Sequence, residues 1–146
     1  MEYDEACATK WAAKTDKASI WAGDQANVTF LERFAAETTA SGLFDIVVDD
    51  GGHTMDQQRT SLEHLWKIVR PGGYYFIEDL ETSYIAHYGG DPSRVDPARK
   101  TFAKYVYEIL DDLNTDGNTH AISHEVRSIE CMRQVCAIFK KELGSI

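Results

Sequence analysis

"FDIVVDDGGHTMDQQRTSLEHLWKIVRPGGYYFIEDLETSY", residues Phe44 to Tyr84, holds two apolar runs that each end in a pair of acids, Asp49-Asp50 and Glu78-Asp79. The first run is β-branched and apolar on both faces apart from Asp45, the pattern of a strand covered on both sides. Thr54, with Gln57 three residues on, predicts an N-cap and capping box, and Leu62, Leu65, Trp66 and Val69 continue a helical stripe. That helix is expected to stop before Pro71-Gly72-Gly73, and "YYFIEDL", residues 74–80, is the next strand. Strand, helix and strand in succession predict a parallel pair whose acid-bearing ends lie at the same sheet edge.

The alternation extends outward in both directions. Upstream, "ASIWAG" (Ala18 to Gly23) reads as a short strand, and "NVTFLERFAAET" places Phe30, Leu31, Phe34 and Ala35 at helical spacing. Downstream, a polar loop broken at Gly89-Gly90, Pro92 and Pro97 leads to a helix with Phe102, Tyr105, Val106, Ile109, Leu110 and Leu113 on one face. "EVRSIECM" and "VCAIFKK" sit only a few residues apart and predict a C-terminal antiparallel hairpin. The fold class expected is therefore α/β: an open, mostly parallel sheet with helices on both faces and one antiparallel hairpin at its end.

A chain of 146 residues is the usual size of one domain, and residues 1–146 read as one. With 43% hydrophobic and 27% charged residues it has a globular composition, and no apolar run approaches the ~20 residues of a membrane span. The acidic first ten residues are unlike a secretory leader. Cys7, Cys131 and Cys136 are an odd count with no CxxC pair, which fits reduced thiols in a cytoplasmic protein. A net charge of −9 without a basic, aromatic-interleaved stripe argues against nucleic acid as a partner.

Adjacent strands lie ~4.8 Å apart, so Asp50 and Asp79 could share a hard cation such as Mg2+. The same acids could instead cap helices or accept loop amides. His53, three residues beyond Asp50 and just before a helix N-terminus, is placed to take a substrate proton. His64, His87, His120 and His124 lack such company and read as surface or packing residues. Asp24-Gln25 follows the upstream strand, and Glu2 stands where a strand ends. In a doubly wound sheet such positions meet the base and ribose of a nucleoside, although Asp24 reads equally as a helix N-cap.

The motifs DDGGH and IEDLETSY, at this separation and with PGG between them, resemble the metal-dependent class I S-adenosylmethionine methyltransferases that methylate macrolide sugars. The resemblance covers about 41 residues and extends upstream through "IWAGDQANVTFLERF". It implies a Rossmann-like sheet and O-methylation of a hydroxyl on a small polyhydroxylated molecule, with S-adenosylmethionine and Mg2+ as cofactors. Asp50 and Asp79 match the family's Mg2+ ligands and His53 its base. Glu2 matches the ribose-binding acid and Asp24-Gln25 the loop beside the adenine, while Asp49 reads as a cofactor-side or structural acid. The family's first strand and glycine-rich loop have no counterpart, since no GxGxG occurs. The chain thus reads as an N-terminally truncated domain lacking the first, central strand. Its neighbours in the sheet are then expected to pair directly or to associate with another copy. An alternative expectation is a non-catalytic remnant that self-associates and binds no cofactor. A metal-dependent hydroxylase or hydrolase using the same three residues ranks below both, because only one histidine is well placed and no GxSxG is present.

Overall fold

The computed structural model describes residues 1–144. The elements in chain order are α1 (Glu5–Ala12), α2 (Val28–Thr38), β1 (Phe44–Asp49), α3 (Met55–Leu65), β2 (Val69–Ile77), α4 (Phe102–Thr115), β3 (Val126–Met132) and β4 (Val135–Lys140). The sheet order is β1-β2-β4-β3. β1 and β2 run parallel, with Ile46 opposite Tyr74 and Asp49 opposite Ile77. β4 pairs antiparallel with both β2 and β3. The parallel character of the sheet is thus carried by β1 and β2, and the expected C-terminal hairpin by β3 and β4.

Local chemistry explains where the helices begin. The Thr54 hydroxyl accepts from the Gln57 backbone N–H, and the Gln57 side chain accepts from the Thr54 N–H, closing the predicted capping box of α3. Thr101 caps α4 through the Lys104 N–H. α2 is capped by Asn27, which accepts from the Phe30 N–H, and not by Asp24. α1 escapes the hydrophobic pattern because it buries only Ala8; its start is marked instead by Asp4, which accepts from the Cys7 N–H.

One face of the sheet carries the core. Tyr75, Ile77 and Ile138 are fully buried against Leu31, Leu62, Leu65 and Ile109 from α2, α3 and α4. The alternation along each strand then sends the intervening side chains to the opposite face. There Ile46 and Val48 are 54% and 57% exposed and Tyr74 is 39% exposed, so β1 is covered on one side only. The expectation of a strand buried on both faces fails because no described element packs on that second layer.

Four further differences concern boundaries and bonding. β2 begins at Val69, ahead of the predicted Tyr74, and stops at Ile77. The intervening Pro71-Gly72-Gly73 bulges out, with Gly72 at φ 73°, and the β1–β2 register jumps across it. The segment Ala18–Gly23 forms no full strand; Ala22 makes a single parallel bridge with Glu2. β1 is left as an edge strand, without the direct pairing considered from sequence. Finally, Cys131 and Cys136 face each other across the hairpin and are bonded, their Cα atoms 4.1 Å apart, while Cys7 is free. The expectation of three reduced thiols is corrected by this register, which a C-x4-C spacing does not reveal.

Truncating the buried face should therefore cost far more than truncating the open one. Ile138→Ala is expected to lose about 2–5 kcal/mol of stability in chemical denaturation, and Ile46→Ala, in dilute solution, no more than about 0.5 kcal/mol. Equal losses would mean that the second face is covered too.

Candidate functional site

The carboxyl ends of β1 and β2 are tied to each other before any side chain is considered. The Glu78 N–H donates to the Asp49 carbonyl at 3.0 Å, so the two acid-bearing turns leave the sheet side by side. Asp50, His53 and Asp79 then each offer a ligand atom within 4.8 Å of the others, with Asp50 exposed and the other two half-buried. His53 Nε2 lies 3.4 Å from Asp79 Oδ2. The two carboxylates at this solvent-accessible edge suit a hard divalent cation retaining part of its water shell, and the imidazole stands beside them as a base.

Asp79 reaches this position by an uncommon backbone. Its φ and ψ are 53° and 40°, the left-handed region that non-glycine residues visit at a cost of order 1 kcal/mol or more. Three contacts hold the turn. The Thr82 hydroxyl and N–H both donate to the Asp79 carbonyl. The Leu80 N–H donates to the Gln134 carbonyl at the tip of the β3–β4 hairpin. Fully buried Gln58, on α3, donates to the Glu78 carbonyl at 3.2 Å. Sequence reasoning missed Gln58, although a glutamine one turn before Leu62 on the apolar stripe was the available signal.

Around the other turn, Gln25 is the organiser. Its side-chain amide donates to Asp49 Oδ1 at 3.1 Å and to the Gly52 carbonyl, and its carbonyl accepts from the Gly52 N–H at 2.6 Å. A Cβ on Gly51 would lie 2.1 Å from Gln25 Oε1, so the close approach that this glycine permits is to Gln25. Glu2, Asp24 and Gln25 meet Asp50, Gly51 and Gly52 around an open cleft of about 450 Å3. The Glu2 carboxyl is held below its usual range first by the Asp4 backbone N–H, which keeps it an acceptor.

Asp49 points elsewhere. It is 9% exposed, accepts from the Tyr75 hydroxyl at 3.0 Å, and faces the apolar slot beside β1 and not the cleft. Burial pushes its carboxyl above the ordinary range, against the hydrogen bonds from Tyr75, Ser61 and Gln25 that favour the anion. Of the other histidines, His64 sits beside Glu32 and His120 beside Glu108 and the Tyr105 ring. His87 packs on the Tyr88 ring that His53 also meets, and none of the four belongs to the three-residue cluster.

No family model matches the chain. It is 39% identical over 99 residues to an 8-demethyl-8-(2-methoxy-alpha-L-rhamnosyl)-tetracenomycin-C 3'-O-methyltransferase of Streptomyces olivaceus, covering 68% of this chain and 24% of the relative. It is 48% identical over 68 residues to the mycinamicin VI 2''-O-methyltransferase of Micromonospora griseorubida, covering 47% of this chain and 16% of the relative. The MycE methyltransferase of mycinamycin biosynthesis, solved with Mg and SAH, superposes with a TM-score of 0.72 at 30% identity, over 86% of this chain and 33% of that one. In sequence and in fold the chain is of the class I S-adenosylmethionine methyltransferase type. The chain spans about a quarter, or less, of the curated relatives it matches. Among the described residues, no helix is long and apolar enough to cross a membrane.

The raised Asp49 carboxyl sets a pH dependence. A folded state that holds the proton more tightly than the unfolded one is stabilised fully below the ordinary value of 3.8, and loses that contribution as pH rises through the higher folded value. The stability of the natural chain relative to Asp49→Asn should therefore fall between pH 3.8 and neutrality, read by denaturant titration at each pH. A relative stability that rises over this interval would mean that the hydrogen bonds outweigh burial.

Proposed function

We propose that residues 1–146 are part of a single methyltransferase domain that transfers the methyl group of S-adenosylmethionine to a hydroxyl of a small polyhydroxylated molecule, assisted by Mg2+. The observation that carries the reading is the convergence of Asp50, His53 and Asp79 at the end of the β1–β2 pair, beside the cleft that Glu2, Asp24 and Gln25 line. The relatives' names and the MycE complex with Mg, SAH and mycinamycin VI support the chemistry.

In this reading Asp50 and Asp79 hold the cation, whose chemistry when bound is to orient vicinal oxygens and acidify one of them. His53 Nε2, at the edge of the pair, takes the proton of the acceptor hydroxyl as the oxygen bonds to the methyl carbon and the carbon–sulfur bond breaks. Glu2 accepts from the ribose hydroxyls, and Asp24 and Gln25 flank the base. Asp49, behind Gln25, fixes the amide that shapes this wall. Holding acceptor and donor in line supplies much of the acceleration. The compartment proposed is the cytoplasm, and self-association is proposed through the sheet edge at β1.

Calorimetric titration with S-adenosylmethionine and its demethylated product, with and without Mg2+, tests the reading directly. Heat is expected that grows with Mg2+, and Asp50→Asn and Asp79→Asn should each weaken Mg2+ binding by about tenfold or more. His53→Gln should leave both binding steps in place while methyl transfer to a polyol acceptor falls by about 10²–10⁴. No heat at millimolar cofactor would sink the proposal for this chain and favour the remnant that binds none.

A further inference from the structure

The tip of the β3–β4 hairpin reaches the candidate site from the antiparallel side of the sheet. β4 places Cys136 opposite Ile77, the last residue of β2, so the chain just ahead of Cys136 runs past the end of that strand. There the Gln134 carbonyl accepts from the Leu80 N–H at 3.0 Å, one residue beyond Asp79. Across the same hairpin Cys131 stands opposite Cys136 and is bonded to it. Only the Met132–Val135 pair and the turn residues Arg133 and Gln134 lie further out. The disulfide is thus two residues from the carbonyl that holds the Asp79 turn.

That turn has few bonds to spare. Asp79 at φ 53° and Gln134 at φ 67° both occupy the left-handed region, which a side chain makes unfavourable. Gln58 Oε1 and Glu81 Oε2, on residues that flank the turn, are buried and meet no donor among the described residues. Of the contacts that hold Asp79 in place, only the bond from Leu80 to Gln134 hangs on an element closed by a reversible covalent link. Cys131 is exposed and Cys136 is buried, and both line a cleft of about 280 Å3 shared with Leu80, Glu81 and Tyr84. An incoming thiolate therefore reaches the Cys131 sulfur, with Cys136 as the leaving group. In a reducing compartment, such as the one proposed above, a disulfide is ordinarily transient and redox-sensing and not a permanent staple.

We propose that Cys131–Cys136 is a thiol–disulfide exchange site, reduced by a dithiol, whose oxidation state positions Asp79. A thiolate of the dithiol attacks Cys131 Sγ, the bond between the two cysteine sulfurs breaks, and Cys136 leaves as a thiolate that takes up a proton. The second thiolate of the dithiol then attacks its own sulfur in the mixed disulfide, and Cys131 leaves and is protonated in turn. Two electrons and two protons pass to the chain, and the dithiol ends as a disulfide. Freed of the cross-link, the tip relaxes from its left-handed turn, the Gln134 carbonyl withdraws, and Leu80 is released with Asp79 before it. The oxidised chain holds Asp79 beside Asp50 and His53; the reduced chain holds it loosely. Cys131, Cys136 and Gln134 are therefore positioning residues. The effect on the cation rests on the methyltransferase reading above, whereas the coupling of disulfide to turn does not.

Hydrogen exchange and Mg2+ titration of the oxidised chain, and of the chain reduced with dithiothreitol, test it. Alkylation should label Cys7 alone in the oxidised chain, and Cys131 and Cys136 as well after reduction. The Leu80 amide should exchange about tenfold faster in the reduced chain, while the Tyr75 amide, inside the sheet, is unchanged; a general loss of stability would move both. Affinity for Mg2+ alone, by calorimetry, should fall about threefold or more on reduction, in Cys7→Ser as in the natural chain. The double variant Cys131→Ser, Cys136→Ser should behave as the reduced chain with or without dithiothreitol. If it fails to fold, the natural chain in its two states carries both measurements. Labelling of Cys131 and Cys136 before reduction, Leu80 exchange indifferent to the oxidation state, or equal Mg2+ affinity in the two states overturns the proposal. Mg2+ binding in neither state counts against the methyltransferase reading, and Leu80 exchange then decides the coupling by itself.

Discussion

Parallel pairing of β1 with β2 is the constraint on which everything else rests. It sets Asp49 opposite Ile77 and lets the Asp49 carbonyl accept from the Glu78 N–H. Two turns that are 29 residues apart in sequence, at Asp50 and Asp79, therefore leave the sheet together. A slip of one residue in that register would turn Tyr75 and Ile77 from the core to the open face. The core that Tyr75, Ile77 and Ile138 form with three helices holds the register, and the register holds the cluster of donors.

Polar groups buried near the sheet's end do a second job. Asp49, Tyr75, Ser61 and Gln25 form a connected set in which the aspartate gains hydrogen bonds but loses solvation. Burial is the larger influence on its protonation, and the set ties Gln25 to the DDGG turn, and through Gln25 to the wall of the cleft. Gln58 plays the matching part at the other turn, bridging α3 to the Glu78 carbonyl. Half-buried Gln25 and buried Gln58 brace the two turns, and their positions fix the backbone from which Asp50 and Asp79 project.

The open face and the unpaired β1 edge share one cause. A parallel strand rich in valine and isoleucine is ordinarily covered above, below and along its edges. Here the helices cover one layer, and among the described residues β1 ends the sheet on one side without a neighbour. The exposed Ile46 and Val48 therefore carry an apolar pattern that only one layer of helices answers.

The sequence by itself determined the elements whose signals are local. The apolar runs at 44–48 and 74–77, the Thr54–Gln57 capping box, the amphipathic stripe of α4 and the C-terminal hairpin are legible because period, capping and turn chemistry act over a few residues. So was the candidacy of Asp50, His53 and Asp79, since acids at strand ends and a resemblance in motif both point to them. Tertiary structure decided what depends on contacts between distant segments: that Asp49 turns inward to Tyr75, that Gln25 clamps Gly52, that Gln58 supports Asp79, and that Cys131 meets Cys136. It also decided that one side of β1 is bare. An apolar side chain reads the same in sequence whether a partner covers it or not, because burial is a property of the neighbours and not of the residue.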